Sequence, residues 1–302
     1  MELRMKTLND IIERAKSLPG RNIALAGAHE VDSLLAVERA RVEGIAGSVL
    51  VGHSDEIEAA AETAGISLDN YEIVHEPDSK QISATAVKII KAGRADALMK
   101  GLVSTADFMR ALLRTEGGLL TAKLLSHIAL FEVPAYSKLL GVTDAAINIA
   151  PTLDEKATII SNSVSVFQRL GIETPKVACV CAVEKVNPSK MPCTEEAAIL
   201  AGMNRAGQIN GSIVDGPLAL DNAVCPEAAK LKKISGEVAG DADIILCPNI
   251  ESANILYKSL AYLGKCECGA IVVGTSAPVI LTSRADSDAT KFASIALGIA
   301  VS

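Results

Sequence analysis

The chain predicts an α/β fold, and three observations carry the prediction. Short β-branched apolar runs alternate with stretches of helical period. The runs are almost continuously apolar, as in strands covered on both faces. Gly or Asp turns separate the two kinds of segment. Taken in order, Met1 to Leu18 mixes charged and apolar residues at helical spacing. Asn22–Gly27 reads as a strand and Val31–Glu43 as a helix. Gly47–Gly52 is a second strand, Ser79–Ala92 a helix and Ala95–Lys100 a strand. Thr105–Leu113 is a helix behind the N-cap candidates Ser104 and Thr105. Ile128–Val133 is apolar, but Ser126–Pro151 as a whole is the least helical region and reads as a crossover. Leu153–Leu170 is a long helix. The strands Lys176–Glu184 and Gly211–Asp215, the helix Asn222–Ser235, the strand Asp243–Pro248 and the helix Glu251–Leu263 follow. Gly269–Gly274 is the last long apolar run before the closing helix Asp286–Ala300.

Composition narrows the function. The 302 residues suggest one large or two medium domains, and 49% hydrophobic residues allow a sizeable core. A net charge of -7 excludes a generic nucleic-acid coat, and 3% aromatics leave no stacking platform for single strands. No run reaches the length of a membrane span and no signal-like apolar stretch opens the chain, so a cytoplasmic protein is expected. The seven cysteines include C-x-C pairs at Cys179/Cys181 and Cys266/Cys268, with no histidine near either. Reduced structural thiols are the expected reading, with a zinc or redox site the weaker alternative. No Walker loop, dinucleotide fingerprint, nucleophile elbow or zincin helix is present.

Four segments carry chemistry. In 96–113 a strand ends near Lys100, followed by Ser104, Thr105 and a helix bearing Arg110. Strand carboxyl ends and helix N-termini both suit anions, although a capped helix with surface cations has the same pattern. In 274–291, Arg284 is a bidentate donor for phosphate or carboxylate, with Ser283, Asp286 and Ser287 beside it as oxyanion donors or helix caps. In 240–260, Asn249 sits at a strand's carboxyl end, and Asn254, Tyr257 and Lys258 share one helical face. In 212–224, Asp215 is expected to end a strand and Asp221 to open a helix, while 183–194 is a further polar loop.

Together these segments resemble the phosphate acetyl/butyryltransferase family, closest to its butyryl branch. The resemblance runs in order through LMKGLVSTADFMR (98–110), LLSHIALFEVPAY (124–136), TDAAINIAP (143–151), CAVEKVNP (181–188), VDGPLALDNAV (214–224), 240–260 and VILTSRADS (279–287). It implies two three-layer α/β/α domains with an interdomain cleft, like the isocitrate/isopropylmalate dehydrogenases. Residues 1–127 with 275–302 would form one domain and 128–274 the other. It implies a homodimer or higher homo-oligomer and reversible acyl transfer between coenzyme A and inorganic phosphate, with the thioester as substrate and no cofactor. Ser283 and Arg284 map onto an acyl-phosphate-binding Ser-Arg pair. Ser104, Thr105 and Arg110 map onto a phosphate- or CoA-binding string. The candidate base of the acetyl branch falls on Thr290, so that role does not carry over; Asp286 and Asp288 are the nearby carboxylates. Lys100 departs from the acetyl string and points to the butyryl branch.

The expected mechanism has phosphate attacking the thioester carbonyl. Arg284, with Lys100 or Arg110, holds the phosphate, Ser283 donates to the carbonyl oxygen, and Asp286 serves as base in reverse. Asn249 and Tyr257 complete the expected substrate-binding set. A phosphate acetyltransferase is the nearest alternative. An NAD(P)-dependent decarboxylating dehydrogenase shares the fold but needs a metal-binding Asp cluster that is not evident. An acyl-CoA- or phosphate-binding module and an acyl-phosphate synthase for lipid assembly are the remaining alternatives.

Overall fold

The computed structural model describes residues 5–114, 116–281 and 286–302. The fold is mixed α/β, and the chain forms two compact units. One comprises residues 1–8 and 123–268, the other 9–122 and 269–302.

The unit of residues 9–122 and 269–302 holds most of α1 (Leu8–Lys16), then β1 (Asn22–Ala26), α2 (Val31–Val42), β2 (Gly47–Gly52), α3 (Ser54–Ala64), β3 (Glu72–His75), α4 (Ile82–Lys91), β4 (Ala97–Lys100) and α5 (Thr105–Leu113). Its strand order is β3-β2-β1-β4-β11-β10, closed by β10 (Glu267–Val273) and β11 (Val279–Ile280) from the end of the chain. Four consecutive residues of β1, Ile23 to Ala26, have no exposed surface, so both faces of that strand are covered. The order β2-β1-β4 with parallel pairing is what right-handed crossovers through α2, α3 and α4 produce. The last helix, α11 (Asp288–Ala300), is buried from Thr290 to Ala300. Arg39 of α2 lies over its Phe292 ring at 3.9 Å.

The middle unit holds β5 (Ser126–Glu132), β6 (Leu140–Thr143), α6 (Leu153–Arg169), β7 (Lys176–Val180), α7 (Pro192–Arg205), β8 (Ile213–Leu218), α8 (Leu220–Val224), α9 (Pro226–Leu231), β9 (Ile244–Leu246) and α10 (Ile250–Lys258). Its strand order is β5-β6-β9-β7-β8. At the amino ends of β7 and β9 the Asp243 carboxylate accepts the Lys176 N–H at 2.7 Å and meets the Lys138 ammonium at 2.7 Å.

Several expectations are corrected. The strands are not all parallel: β5 pairs antiparallel with β6, and β10 with β11. The stretch 126–151 is therefore partly a hairpin. Asp215 does not end its strand but lies inside β8, whose pairing with β7 is irregular around Ala178. The helix expected over 222–235 is two short ones, because Pro226 has no N–H to continue α8. Asp221 is the second residue of α8, not its cap, which is Ala219. The helix after Asn249 gives way at Ser259–Leu263 to a π-helical turn. Helices α3 and α7 and strands β3 and β6 add elements that the apolar runs did not mark. No helix among the described residues is long and apolar enough to cross a membrane.

Candidate functional site

In the unit of residues 9–122 and 269–302, the polar groups gather where the parallel strands end. Lys100 is the last residue of β4 and half-buried, with its Nζ 3.3 Å from the Gly101 carbonyl oxygen that accepts from it. The two loops beyond β1 and β4 cross through glycine. Gly101 N–H donates to the Ala26 carbonyl at 2.8 Å and Leu102 N–H to the Gly27 carbonyl at 2.9 Å. A Cβ on Gly101 would collide with the Gly27 carbonyl oxygen. Gly27 itself has φ +78°, which glycine adopts freely. Only bare backbone lets the loops approach this closely, and the contact fixes where Lys100 and α5 begin.

Ser104 caps α5 by backbone conformation, without a side-chain bond to the helix, and both Ser104 and Thr105 are exposed. Arg110 is ion-paired to Asp107 one turn earlier and its side chain is 71% exposed. Ser283 and Arg284 lie outside the described residues. Asp286 is half-buried just ahead of α11. The capping role belongs to Ser287, whose Oγ accepts the Thr290 N–H at 3.1 Å.

The same strand ends carry three histidines that the sequence reading did not connect. His29 follows β1, His53 follows β2 and His75 ends β3. Gly52 and His75 are paired in the β2–β3 register. The His53 and His75 rings stand 5.1 Å apart, edge to face, and His29 Nδ1 is 3.7 Å from a Glu56 carboxylate oxygen. The available signal was positional: each histidine follows or closes one of three neighbouring parallel strands. No group of three or more His, Cys, Asp or Glu among the described residues could hold a metal ion.

The middle unit dresses its strand ends with capped helices. Buried Asp144, just after β6, accepts the Ala146 and Ile147 N–H groups at 3.0 Å each, and the Asn148 amide at 2.6 Å. Thr152 and Glu155 form a reciprocal capping box on α6, and its two bonds to Thr152 hold the Glu155 carboxyl below its ordinary range. Asn249 caps α10: its Oδ1 accepts the Ser252 N–H at 3.0 Å. Asn254 donates to the Ala145 carbonyl at 2.9 Å and so ties α10 to the loop after β6. Tyr257 packs edge to face on His127 and Phe131, with centroids 5.9 and 5.2 Å away, and its hydroxyl accepts from the Cys268 thiol. Lys258, on the same helix, is exposed. After β7 and β8, Lys232 bridges Glu184 at 2.7 Å and Asp221 at 2.9 Å, lowering both carboxyls.

The buried thiols are poor nucleophiles. Burial, with Asp215 nearby, pushes Cys179 up to about 12, and burial alone pushes Cys247 up to about 12. Lys156, enclosed beside them, is neutralised by Glu196. What both units offer at their strand ends is therefore positive potential from helix N-termini and hydrogen-bond donors. That is equipment for holding anions, not for acylating the protein at Cys179 or Cys247.

Comparison with known proteins sets this geometry in context. The phosphate acetyl/butaryl transferase model matches residues 79–299. The phosphate butyryltransferase of Clostridium acetobutylicum is 50% identical, over 98% of this chain and 98% of that protein. The phosphate acetyltransferase of Thermotoga maritima is 44% identical, over 96% of this chain and 98% of that protein. Among solved structures, a branched-chain phosphotransacylase from Enterococcus faecalis V583 superposes with a TM-score of 0.83 at 33% identity, covering 93% of this chain and 98% of that one.

Proposed function

Because the chain belongs to the phosphate acetyl/butyryltransferase family and is an acyltransferase, we propose that it moves a short-chain acyl group, butyryl foremost, reversibly between coenzyme A and inorganic phosphate. The observation that carries this reading is 50% identity to a phosphate butyryltransferase across 98% of both chains. In the forward direction a phosphate oxygen attacks the thioester carbonyl, the carbon–sulfur bond breaks, and acyl phosphate and the CoA thiolate leave. Arg284 holds the phosphate with Lys100, and Ser283 donates to the carbonyl oxygen as negative charge develops on it. Ser104 and Thr105, at the amino end of α5, and Arg110, once it exchanges Asp107 for substrate, bind phosphate or the CoA phosphates. Asp286 takes the CoA thiol proton in reverse, since Thr290 has no carboxylate to do so. Asn249 and Tyr257 contribute to substrate binding beyond the structural bonds they already make.

The two units correspond on this reading to two three-layer domains of the isocitrate/isopropylmalate dehydrogenase kind. The enzyme acts as a cytoplasmic homodimer or higher homo-oligomer, without metal or redox cofactor. A phosphate acetyltransferase is the second reading, favoured by the 44% identity to the Thermotoga maritima enzyme. Thiol release from acetyl-, propionyl-, butyryl-, isobutyryl- and valeryl-CoA, with and without phosphate, decides between them. Release that needs phosphate and is fastest with butyryl-CoA is expected; a preference for acetyl-CoA selects the second reading. Phosphate-independent release rejects both. Arg284→Ala is expected to raise the phosphate KM and lower kcat.

A further inference from the structure

Lys291 is a buried cation outside the set of residues assigned to the reaction. It is the fourth residue of α11, and its side chain is only 8% exposed. Among the described residues its one polar partner is Asp32, the second residue of α2, with Nζ 3.2 Å from Oδ2. That contact is long for a charge-assisted bond, which usually spans about 2.7–2.9 Å. Asp32 itself is 59% exposed, so water shares its charge. An ammonium has three N–H donors, and this carboxylate oxygen takes one. The setting adds to the cost. Lys291 joins the amino end of α11 to the amino end of α2, and both peptide dipoles present positive charge there. Asp32 and Asp288, the acidic residues of those first turns, are both exposed, and Glu30 ahead of α2 is engaged by Ser33 Oγ. Burying a charge is unfavourable unless it is fully paired, so the placement calls for a second anion.

The topology says which anion is near. Strands β1, β4 and β11 are parallel neighbours. Helix α2 follows the carboxyl end of β1, Lys100 closes β4, and the chain beyond β11 leads into α11. The Lys291–Asp32 pair therefore ties together two helices that begin at the strand ends where Lys100 stands.

We propose that Lys291 is a further phosphate-binding residue, whose ammonium donates to an oxygen of the inorganic phosphate that attacks the thioester. The identity of the anion rests on the acyl-transfer reading. Asp32 holds the ammonium in place before phosphate arrives and shares it afterwards. Lys291 transfers no proton. It offsets negative charge on the phosphate and fixes its position, and another phosphate oxygen attacks the carbonyl carbon.

The test is thiol release from butyryl-CoA at varied phosphate, together with calorimetric titration of inorganic phosphate into the full chain. Lys291→Met keeps a long apolar stem in the buried position and removes the charge. It should raise the phosphate KM roughly tenfold or more, the scale of one lost hydrogen bond to a charged group. Phosphate binding should weaken by the same factor while the butyryl-CoA KM holds. Asp32→Asn should act in the opposite sense: it removes the competing carboxylate and lowers the phosphate KM. A residue that merely pins α11 to α2 would raise that KM in both variants, and this result overturns the proposal. An unchanged phosphate KM in Lys291→Met, or a rise in the butyryl-CoA KM alone, also overturns it. If Lys291→Met fails to fold, the sign of the change in Asp32→Asn decides. Thiol release that needs no phosphate rejects the acyl-transfer reading instead, and the titrations of wild type and Lys291→Met then judge the anion site separately: equal binding, or none in the wild type, overturns it.

Discussion

All seven cysteines lie between residues 123 and 268, while three of the four histidines lie between 9 and 122. The two units also finish their parallel strands by different means. In the unit holding β1 to β4, the ends carry imidazoles, Lys100 and two glycines whose backbones cross. In the middle unit they carry Asp144 bound by backbone N–H groups, and helices capped by Thr152 and Asn249. The first arrangement sets a cation by backbone contact. The second relies on peptide dipoles at helix N-termini, its Lys232 being engaged by Glu184 and Asp221. A chain with a net charge of -7 can thus present local attraction for anions in two chemically separate ways.

The largest expected effect probes the core beneath the second arrangement. Phe167 is 1% exposed and its ring lies against Gly141 of β6. Phe167→Ala should cost about 3–5 kcal/mol of stability, read by denaturant unfolding; a cost under about 1 kcal/mol would mean that the middle unit is loosely packed there. Gly101→Ala tests the first arrangement. The added methyl meets backbone, not a yielding side chain, so about 1–3 kcal/mol should be lost. The substrate KM should also rise as Lys100 shifts, and unchanged kinetics would separate the glycine crossing from the site. Asn249→Ala should cost about 1 kcal/mol through loss of the α10 cap. Asn249→Ser restores a capping oxygen, so a KM that stays raised in the serine variant would isolate a binding role for the amide.

The smallest effect concerns pH. Arg41 donates to both Glu38 carboxylate oxygens at 2.8 Å, and Tyr71 donates at 2.6 Å. The Arg41 bonds, against an opposing cost of burial, hold Glu38 below its ordinary range. Its contribution is complete above the unfolded carboxyl value and is lost as pH falls through the depressed folded one. Glu38→Gln should therefore flatten the acid limb of the stability curve below about pH 5; an unchanged limb would remove Glu38 from the account.

The strands with continuous apolar runs, β1, β2, β4, β9 and β10, were legible in sequence because burial on both faces writes itself into composition. Edge strand β3, with the residues EIVH, is only partly buried and has no such run. The reversed direction of β5 and β10, against β6 and β11, was not legible, because antiparallel pairing depends on the path of the chain and not on the residues in the strand. Helix α7 was hidden behind the polar loop before it, although Pro192 is a usual opening residue. At the site, the strand-end position of Lys100 and the loop position of Asn249 were read correctly. The Gly27–Gly101 crossing joins residues remote in sequence, and only the fold brings them together.

The ordering of strands has a consequence for synthesis. Strand β4 is complete at residue 100, yet its parallel neighbour β11 begins at Val279. At about 5–20 residues per second, one edge of β4 waits roughly nine to thirty-six seconds for that partner to emerge from the ribosome. An open apolar strand edge is a template for pairing with other chains. The nascent protein is therefore most exposed to aggregation while the middle unit is being made, and the final segment acts as the latch that ends the hazard. A chain interrupted after residue 274 would keep that edge open permanently.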